Sequence, residues 1–259
     1  MAAFDATTAA RFIAEAHLRG DAFCNLPDEI GPATVEEAYA AQEALRALWE
    51  PALGPMVGLK IATTTKVMQA LMGIDHPCGG MIYRKRVHQS PARIALSSFQ
   101  NLMIECEMAV RIGRDLPARA EPYTAATVRN AVAAVMPAFE LIEDRRAVYK
   151  ETRALSLIAD NAWNGGIVLG PETPVAAGVE LNGVFGRLAV DGAERAEGRT
   201  DDPMGALAWV ANLAASRGRP MTAGMVVITG SLIATMSIKS GETFRFEIAG
   251  FGATEMSAT

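Results

Sequence analysis

The stretch "NLMIECEMAVRIG", residues 101 to 113, constrains the fold of this chain more than any other. Ile104, Cys106, Met108, Val110 and Ile112 alternate with Glu105, Glu107, Ala109 and Arg111. A period of two is the signature of a β-strand. Residues two apart share a face, so Glu105 and Glu107 project together while Cys106 points the other way, into packing. A rise of ~3.3 Å per residue puts their Cβ atoms about 6–7 Å apart, close enough for both carboxylates to converge on one ion. Two readings follow. The glutamates line the solvated face of a half-buried antiparallel strand, or they hold a divalent cation that removes the repulsion and burial penalty of paired carboxylates.

A third acid bears on the choice. Glu140 lies in "MPAFELIEDRR", flanked by Phe139, Leu141 and Ile142 and followed by Glu143, Asp144, Arg145 and Arg146. "AFELIE" reads as a second apolar strand. Three carboxylates form an all-oxygen donor set, which selects a hard cation such as Mg²⁺ or Mn²⁺. The three cysteines, Cys24, Cys78 and Cys106, form no C-x-x-C pair. They fit neither a disulfide framework nor a zinc cluster.

Around these strands the pattern is mixed. "TTAARFIAEAHLRG" reads as a helix ending at Gly20. "TVEEAYAAQEALRALW" opens with Thr34 and Glu37 in capping-box spacing and carries Ala38, Ala41, Leu45 and Leu48 at helical intervals. Residues 66–72 suit a short third helix. "PYTAATVRNAVAAVM" reads as a helix stopped by Pro137. Asp191-Gly192 marks a hairpin. "DDPMGALAWVANLAASRG" is a helix with Asp202 at its N-cap, Pro203 at its first position and Gly218 at its end. "MVVITGS" and "MSIKSGETFRFEIAG" read as strands with a turn at Ser240-Gly241. Helices first, then strands with two helices among them, favour an α+β fold over a βαβ dinucleotide fold. No G-x-G-x-x-G follows a strand. With no repeat or linker, residues 1–259 are expected to form a single domain, mainly helical over 1–75 and a β-rich catalytic core over 76–259.

Composition narrows the class. The 259 residues are 50% hydrophobic and carry a net charge of −5, with no basic run. That excludes a phosphate-tracking nucleic-acid surface. No apolar run approaches the roughly 20 residues of a membrane span. The N-terminal segment lacks an uninterrupted apolar stretch, so a cytoplasmic protein is expected.

The E-x-E strand, with its third acid in "PAFELIEDR" 33 positions after Glu107, resembles the fumarylacetoacetate hydrolase superfamily. The chain is most similar to its branch of 2-keto-4-pentenoate hydratases and 4-oxalocrotonate decarboxylases. "GLKIATTTKVMQALMGIDHP", "IADNAWNGGIVLG" and "AGMVVITGSLIATMSIKSGETF" carry the likeness along essentially the whole chain. The resemblance implies a β-rich mixed sandwich or roll with N-terminal helices. It implies Glu105, Glu107 and Glu140 as ligands of Mg²⁺ or Mn²⁺, with Lys60 and Asp75 as catalytic residues. Asp160, Asn161, Thr229 and Ser231 match substrate-binding positions. A turn or helix-cap role is the rival for Asp160 and Asn161. Gly230, between Thr229 and Ser231, suits close backbone approach to an anion. The chain departs from the branch in "GIDHPCGG", where Cys78 stands near an expected second acid and His76 is new, and in the "ATTT" after Lys60.

The implied activity is a metal-dependent hydratase, a lyase acting on a 2-hydroxy-2,4-dienoate in the catabolism of aromatic compounds. A 4-oxalocrotonate-type decarboxylase needs the same enolate stabilised and is the alternative. An acylpyruvate C–C hydrolase ranks third, because His17, His76 and His88 offer no match to that branch's histidine–glutamate pair. A non-catalytic partner subunit is the reading from a different class. The resemblance also implies a homo-oligomer, and a complex with a related hydratase or decarboxylase.

Overall fold

The computed structural model describes residues 3–176 and 178–259. The chain opens with helices α1 (Ala6–Arg19) and α2 (Val35–Leu53), then strand β1 (Met56–Ala62) and helix α3 (Lys66–Met72). Strands β2 (Cys78–Tyr83), β3 (Val87–Gln89), β4 (Ala92–Ile94) and β5 (Leu102–Ile112) follow. Next come α4 (Ala125–Arg129), β6 (Val132–Glu143), α5 (Ala154–Ala159), β7 (Asn164–Leu169) and β8 (Thr173–Pro174). A hairpin of β9 (Phe185–Val190) and β10 (Ala193–Arg199) leads to α6 (Pro203–Ser216), β11 (Val226–Ser237), β12 (Thr243–Ile248) and β13 (Gly252–Ala258).

The strands form two sheets. The larger runs β2-β1-β11-β5-β6-β7-β3, with β8 also pairing β6, and the smaller runs β10-β9-β12-β13-β4. They pack face to face through Phe139 of β6, whose ring lies 6.5 Å from Phe244 and 6.1 Å from Phe246 of β12. Cys106, Met108, Val110 and Leu141 join the same apolar cluster. The other face of the large sheet is also apolar around its centre, where Ala109, Met136, Ala138, Ile167 and Ile228 cluster. Glu105, Glu107 and Glu140 share that second face. The architecture is α+β and strand-rich, as the order of elements indicates.

The helices near the N-terminus cover one sheet edge. Thr34 caps α2 by accepting from the Glu37 N–H at 3.2 Å, while the Glu37 carboxylate accepts from Ala33 N, one residue further back than the capping-box pattern expects. Ala38, Ala41 and Leu45 of α2 are fully buried, but Leu48, the last of the expected stripe, is 41% exposed. From α2, the Gln42 amide donates to Gly79 O at 2.9 Å and the Tyr39 hydroxyl accepts from Gly79 N at 2.9 Å. The outermost strand β2 therefore has these backbone groups occupied, which protects the edge. Among the described residues, no helix is long and apolar enough to cross a membrane.

One expected element is corrected. The segment 122–136 is not one helix: α4 stops at Arg129, and β6 begins at Val132 and runs through Pro137. β6 lies in the middle of the sheet and is buried on both faces, so its apolar run carries no alternation and mimics a buried helix. Proline is tolerated there for a specific reason. Pro137 O accepts from Gly170 N at 2.9 Å, so its nitrogen faces that same edge of β6. On that edge the pairing with β7 ends at Ala138 and the pairing with β8 resumes at Val135, leaving no ladder bond for the missing N–H to break.

Candidate metal centre

The centre is assembled from β1, β5, β6 and β11. Glu105 stands opposite Glu140 in the β5–β6 ladder, and Glu107 is one same-face step along β5. One carboxylate oxygen from each of Glu105, Glu107 and Glu140 lies within 4.8 Å of the others. Glu107 and Glu140 are 0% exposed, which removes the solvent-face reading for both. Lys60 reaches in from β1, 3% exposed, with Nζ 3.0 Å from Glu140 Oε1.

Each carboxylate is partly satisfied. Glu140 Oε1 accepts a second bond, from Asn164 Nδ2 at 2.9 Å. Glu107 Oε2 accepts from the Gly230 N–H at 2.7 Å, and Glu105 Oε1 accepts from the Thr235 hydroxyl. The β11 register slips around Thr229 and Gly230, and this bulge turns a backbone N–H out of the ladder toward Glu107. Gly230 adopts φ +113°, and a Cβ there would come within 3.3 Å of the Thr64 side chain, so any other residue is strained at this position. Glu107 Oε1 and Glu140 Oε2 are buried with no hydrogen-bond partner.

Those two oxygens test whether a cation fits. Burying an unpartnered carboxylate oxygen is costly, and here two occur beside a third acid. Burial, followed by repulsion from Glu140 and Glu105, pushes Glu107 well above the usual carboxylate range. Burial also raises Glu140, against the pull of Lys60. For Lys60, burial works to lower the ammonium, but Glu140, Glu105 and Glu107 together outweigh it and hold the group above its ordinary value. Three acids against one ammonium leave an excess of negative charge, which a proton on Glu107 reduces and a divalent cation balances. An all-oxygen donor set with two free, buried acceptors suits a hard cation.

Beside the centre lies a cavity of about 480 Å³. Lys60, Thr63, Thr64, Thr65, Glu105, Ser231 and Thr235 contribute polar groups to it, and Met68, Met72, Ile142, Tyr149, Leu157 and Trp163 contribute an apolar wall. Among the described residues lining it, Lys60 is the one cationic side chain.

The other expected site residues divide. Ser231 lines the cavity, and its hydroxyl bonds Ile233 O at 2.6 Å. Thr229 is buried and donates to Met108 O at 2.9 Å, tying the bulge to β5. Asp160 is buried away from the cavity lining, paired to Arg145 Nη2 at 2.5 Å and His17 Nε2 at 2.7 Å. The Asn161 amide spends itself on Met81, accepting from N at 2.7 Å and donating to O at 2.9 Å. Asp75 is exposed and outside the cavity lining. Cys78 is buried among Ala38, Tyr39 and Ile158, and burial pushes its thiol up. Thr235 and Asn164 were not legible as site residues. Thr235 depends on bulges that no alternation signals, whereas Asn164 left a trace in the "NGG" ahead of an apolar strand.

The fumarylacetoacetate (FAA) hydrolase C-terminal family model matches residues 57–257. The chain is 29% identical to 2-keto-4-pentenoate hydratase 2 of Dechloromonas aromatica (strain RCB), over 94% of each protein. It is 30% identical to a 4-oxalocrotonate decarboxylase of Pseudomonas sp, covering 87% of this chain and 88% of that one. The solved 4-oxalocrotonate decarboxylase of Pseudomonas putida G7, complexed with magnesium and adipate, superposes with a TM-score of 0.89 at 23% identity, covering 98% of this chain and 97% of that one. With the family pattern spanning all but the N-terminal helices and the last residues, the chain belongs to the fumarylacetoacetate hydrolase family.

Proposed function

We propose that the chain is a divalent-metal-dependent hydratase that converts a 2-hydroxy-2,4-dienoate, through its 2-oxo-3-enoate tautomer, to a 4-hydroxy-2-oxo acid. The observation that carries this reading is the Glu105–Glu107–Glu140 cluster with two buried, unpartnered oxygens, set against a cavity in which Lys60 is the one cationic side chain among the described lining residues. The named relatives are hydratases and a decarboxylase. Mg²⁺ or Mn²⁺ is the proposed ion. When bound, it supplies Lewis-acid polarisation of the substrate's C2 oxygen.

The chain's own groups do the rest. Gly230 N–H and the Thr235 hydroxyl hold Glu107 and Glu105, and Lys60 and Asn164 hold Glu140. Neutralising the three acids removes what keeps Lys60 protonated, and its burial then favours the free amine. Lys60 is therefore placed to give and take the proton that moves as dienol becomes enone, before water adds at C4. Ser231 is the proposed partner of the substrate carboxylate. Thr229, Asp160 and Asn161 serve by holding the bulge and the cavity wall. Asp75 stays assigned to proton transfer only if its loop moves toward the cavity.

The second reading, a 4-oxalocrotonate-type decarboxylase, draws on the 30% identity to an enzyme of that name. A dicarboxylate substrate seated with its second carboxylate against Met68, Met72, Ile142 and Leu157, rather than toward Thr63, Thr64 and Thr65, would leave that group unpaired. Burying an unpaired carboxylate there is strongly unfavourable. The apolar part of the wall thus favours the hydratase's single-carboxylate substrate. No histidine is among the described residues lining it, which leaves the acylpyruvate hydrolase without a base of that kind. A homo-oligomer in the cytoplasm, also able to join a related hydratase or decarboxylase, completes the proposal.

The test is a paired assay with Mg²⁺: loss of dienol absorbance with 2-hydroxypenta-2,4-dienoate, and carbon dioxide release from 4-oxalocrotonate. Hydration should dominate. Decarboxylation with no hydration would transfer the assignment to the second reading, and inactivity on both would leave the non-catalytic one.

A further inference from the structure

The "NGG" at residues 164–166 has a purpose that the fold makes visible. In the β6–β7 ladder Glu140 pairs with Ile167 and Leu141 with Gly166, but Ile142 pairs with Asn164, so Gly165 is an extra residue on β7. A regular ladder would set Asn164 opposite Glu143 and aim it at the face away from Glu140, because side chains alternate. The one-residue bulge flips it to the Glu140 face. The bulge depends on Gly166, which sits at φ +145° and where a Cβ would lie 2.6 Å from Arg86 O.

The result is that Asn164 Nδ2 donates to Glu140 Oε1 at 2.9 Å, the oxygen that also faces Lys60 Nζ at 3.0 Å. Both donors occupy Oε1, and Oε2 is left buried without a partner. The amide's orientation is dictated by chemistry, since a flip would set its oxygen against a carboxylate. Asn164 Oδ1 itself has no partner. Accepting an unsatisfied buried oxygen makes sense if the amide is kept for the bond it donates.

We propose that Asn164 is a positioning residue of the metal centre: with Lys60 it locks Glu140 so that Oε2 alone is presented to the ion. The inference rests on the metal reading above. Groups that orient ligands in this way typically contribute 10–100-fold to metal affinity.

The experiment is Mn²⁺ titration, followed by the EPR signal of the free ion, of wild type, Glu140→Gln, Asn164→Leu and Asn164→Ala, with thermal unfolding of each. The alanine variant serves if the bulkier leucine fails to fold. A 10–100-fold weaker Mn²⁺ affinity in a folded Asn164 variant is expected, with turnover largely restored at saturating Mn²⁺. A merely structural asparagine would lower the unfolding temperature and leave the affinity unchanged, which overturns the proposal. If wild type binds no Mn²⁺, or Glu140→Gln binds as wild type does, the metal reading itself has failed, and the Asn164 proposal falls with it. If Glu140→Gln is impaired and the Asn164 variants are not, the failure belongs to the positioning role alone.

Discussion

Glu105 and Glu140 stand directly opposite one another across the β5–β6 ladder, two acids at a cross-strand position where like charges destabilise a sheet. Glu107, on the same face, adds a third acid. A fold that retains this arrangement has exchanged stability for a site. Glu107→Gln keeps the size and removes the charge. It should raise the stability of the metal-free protein at neutral pH by about 1 kcal/mol, seen as a higher unfolding temperature. The same variant should lose the stabilisation that Mg²⁺ gives wild type. A variant less stable than wild type without metal would mean that the acids are not in conflict.

The pH dependence of that stability follows with a definite sign. Burial raises the Glu107 pKa in the folded chain, so the folded state keeps a proton that the unfolded chain has released. Stability of the metal-free protein should therefore fall as pH rises from the ordinary glutamate range near 4.5 through the raised folded value. Mg²⁺ displaces that proton, so its stabilising effect should grow with pH. Thermal unfolding at pH 6 and pH 8, with and without Mg²⁺, checks this; a metal effect larger at pH 6 would contradict it.

Lys60 is placed to act on substrate rather than to hold the ion. Lys60→Met removes a positive charge beside the cluster, which favours the cation, but also one of the two donors that hold Glu140, so Mn²⁺ affinity should change far less than turnover. Turnover should fall about 10²–10⁴-fold, the usual contribution of a general acid–base group. Steady-state kinetics with a parallel metal titration separates the two. Wild-type turnover in Lys60→Met would move the proton transfer to another group.

Asp160 illustrates a position whose chemistry is structural in this fold. Its carboxylate pairs with buried Arg145 and with His17, and joins two turns in which Arg145, Arg146, Asn161, Ala162 and Trp163 all hold positive φ. Such backbone is sustained only where the surroundings over-determine it. Asp160→Ala strands the Arg145 guanidinium, and the expected loss is about 3–5 kcal/mol. Chemical denaturation measures it. A variant with full stability and a raised KM would instead place Asp160 at the substrate.

What the residues disclose in advance depends on how many faces each strand buries. β5 shows clean alternation because its two faces differ, one packed against the smaller sheet and the other carrying Glu105 and Glu107, so the metal pair was legible. β6 is buried on both faces nearly throughout, and its apolar run looked helical until Pro137. The partners of the acids were hidden for another reason. Gly230, Thr235 and Asn164 reach the centre through register slips in β11 and β7, and a slip of one residue moves a side chain from one face to the other. Asp160 and Asn161 were legible as polar positions near the site, but their partners were not: Arg145 lies 15 residues from Asp160 across a turn and a helix, and His17 and Met81 lie 143 and 80 residues away.

The central claim is that three buried carboxylates exist to hold one divalent cation. Anomalous diffraction at the manganese edge, from crystals soaked in MnCl₂, tests it most directly. The account predicts a single peak among Glu105, Glu107 and Glu140, in contact with Glu107 Oε1 and Glu140 Oε2. Well-ordered crystals with no peak there, or with manganese bound elsewhere and these oxygens still unpartnered, would contradict it.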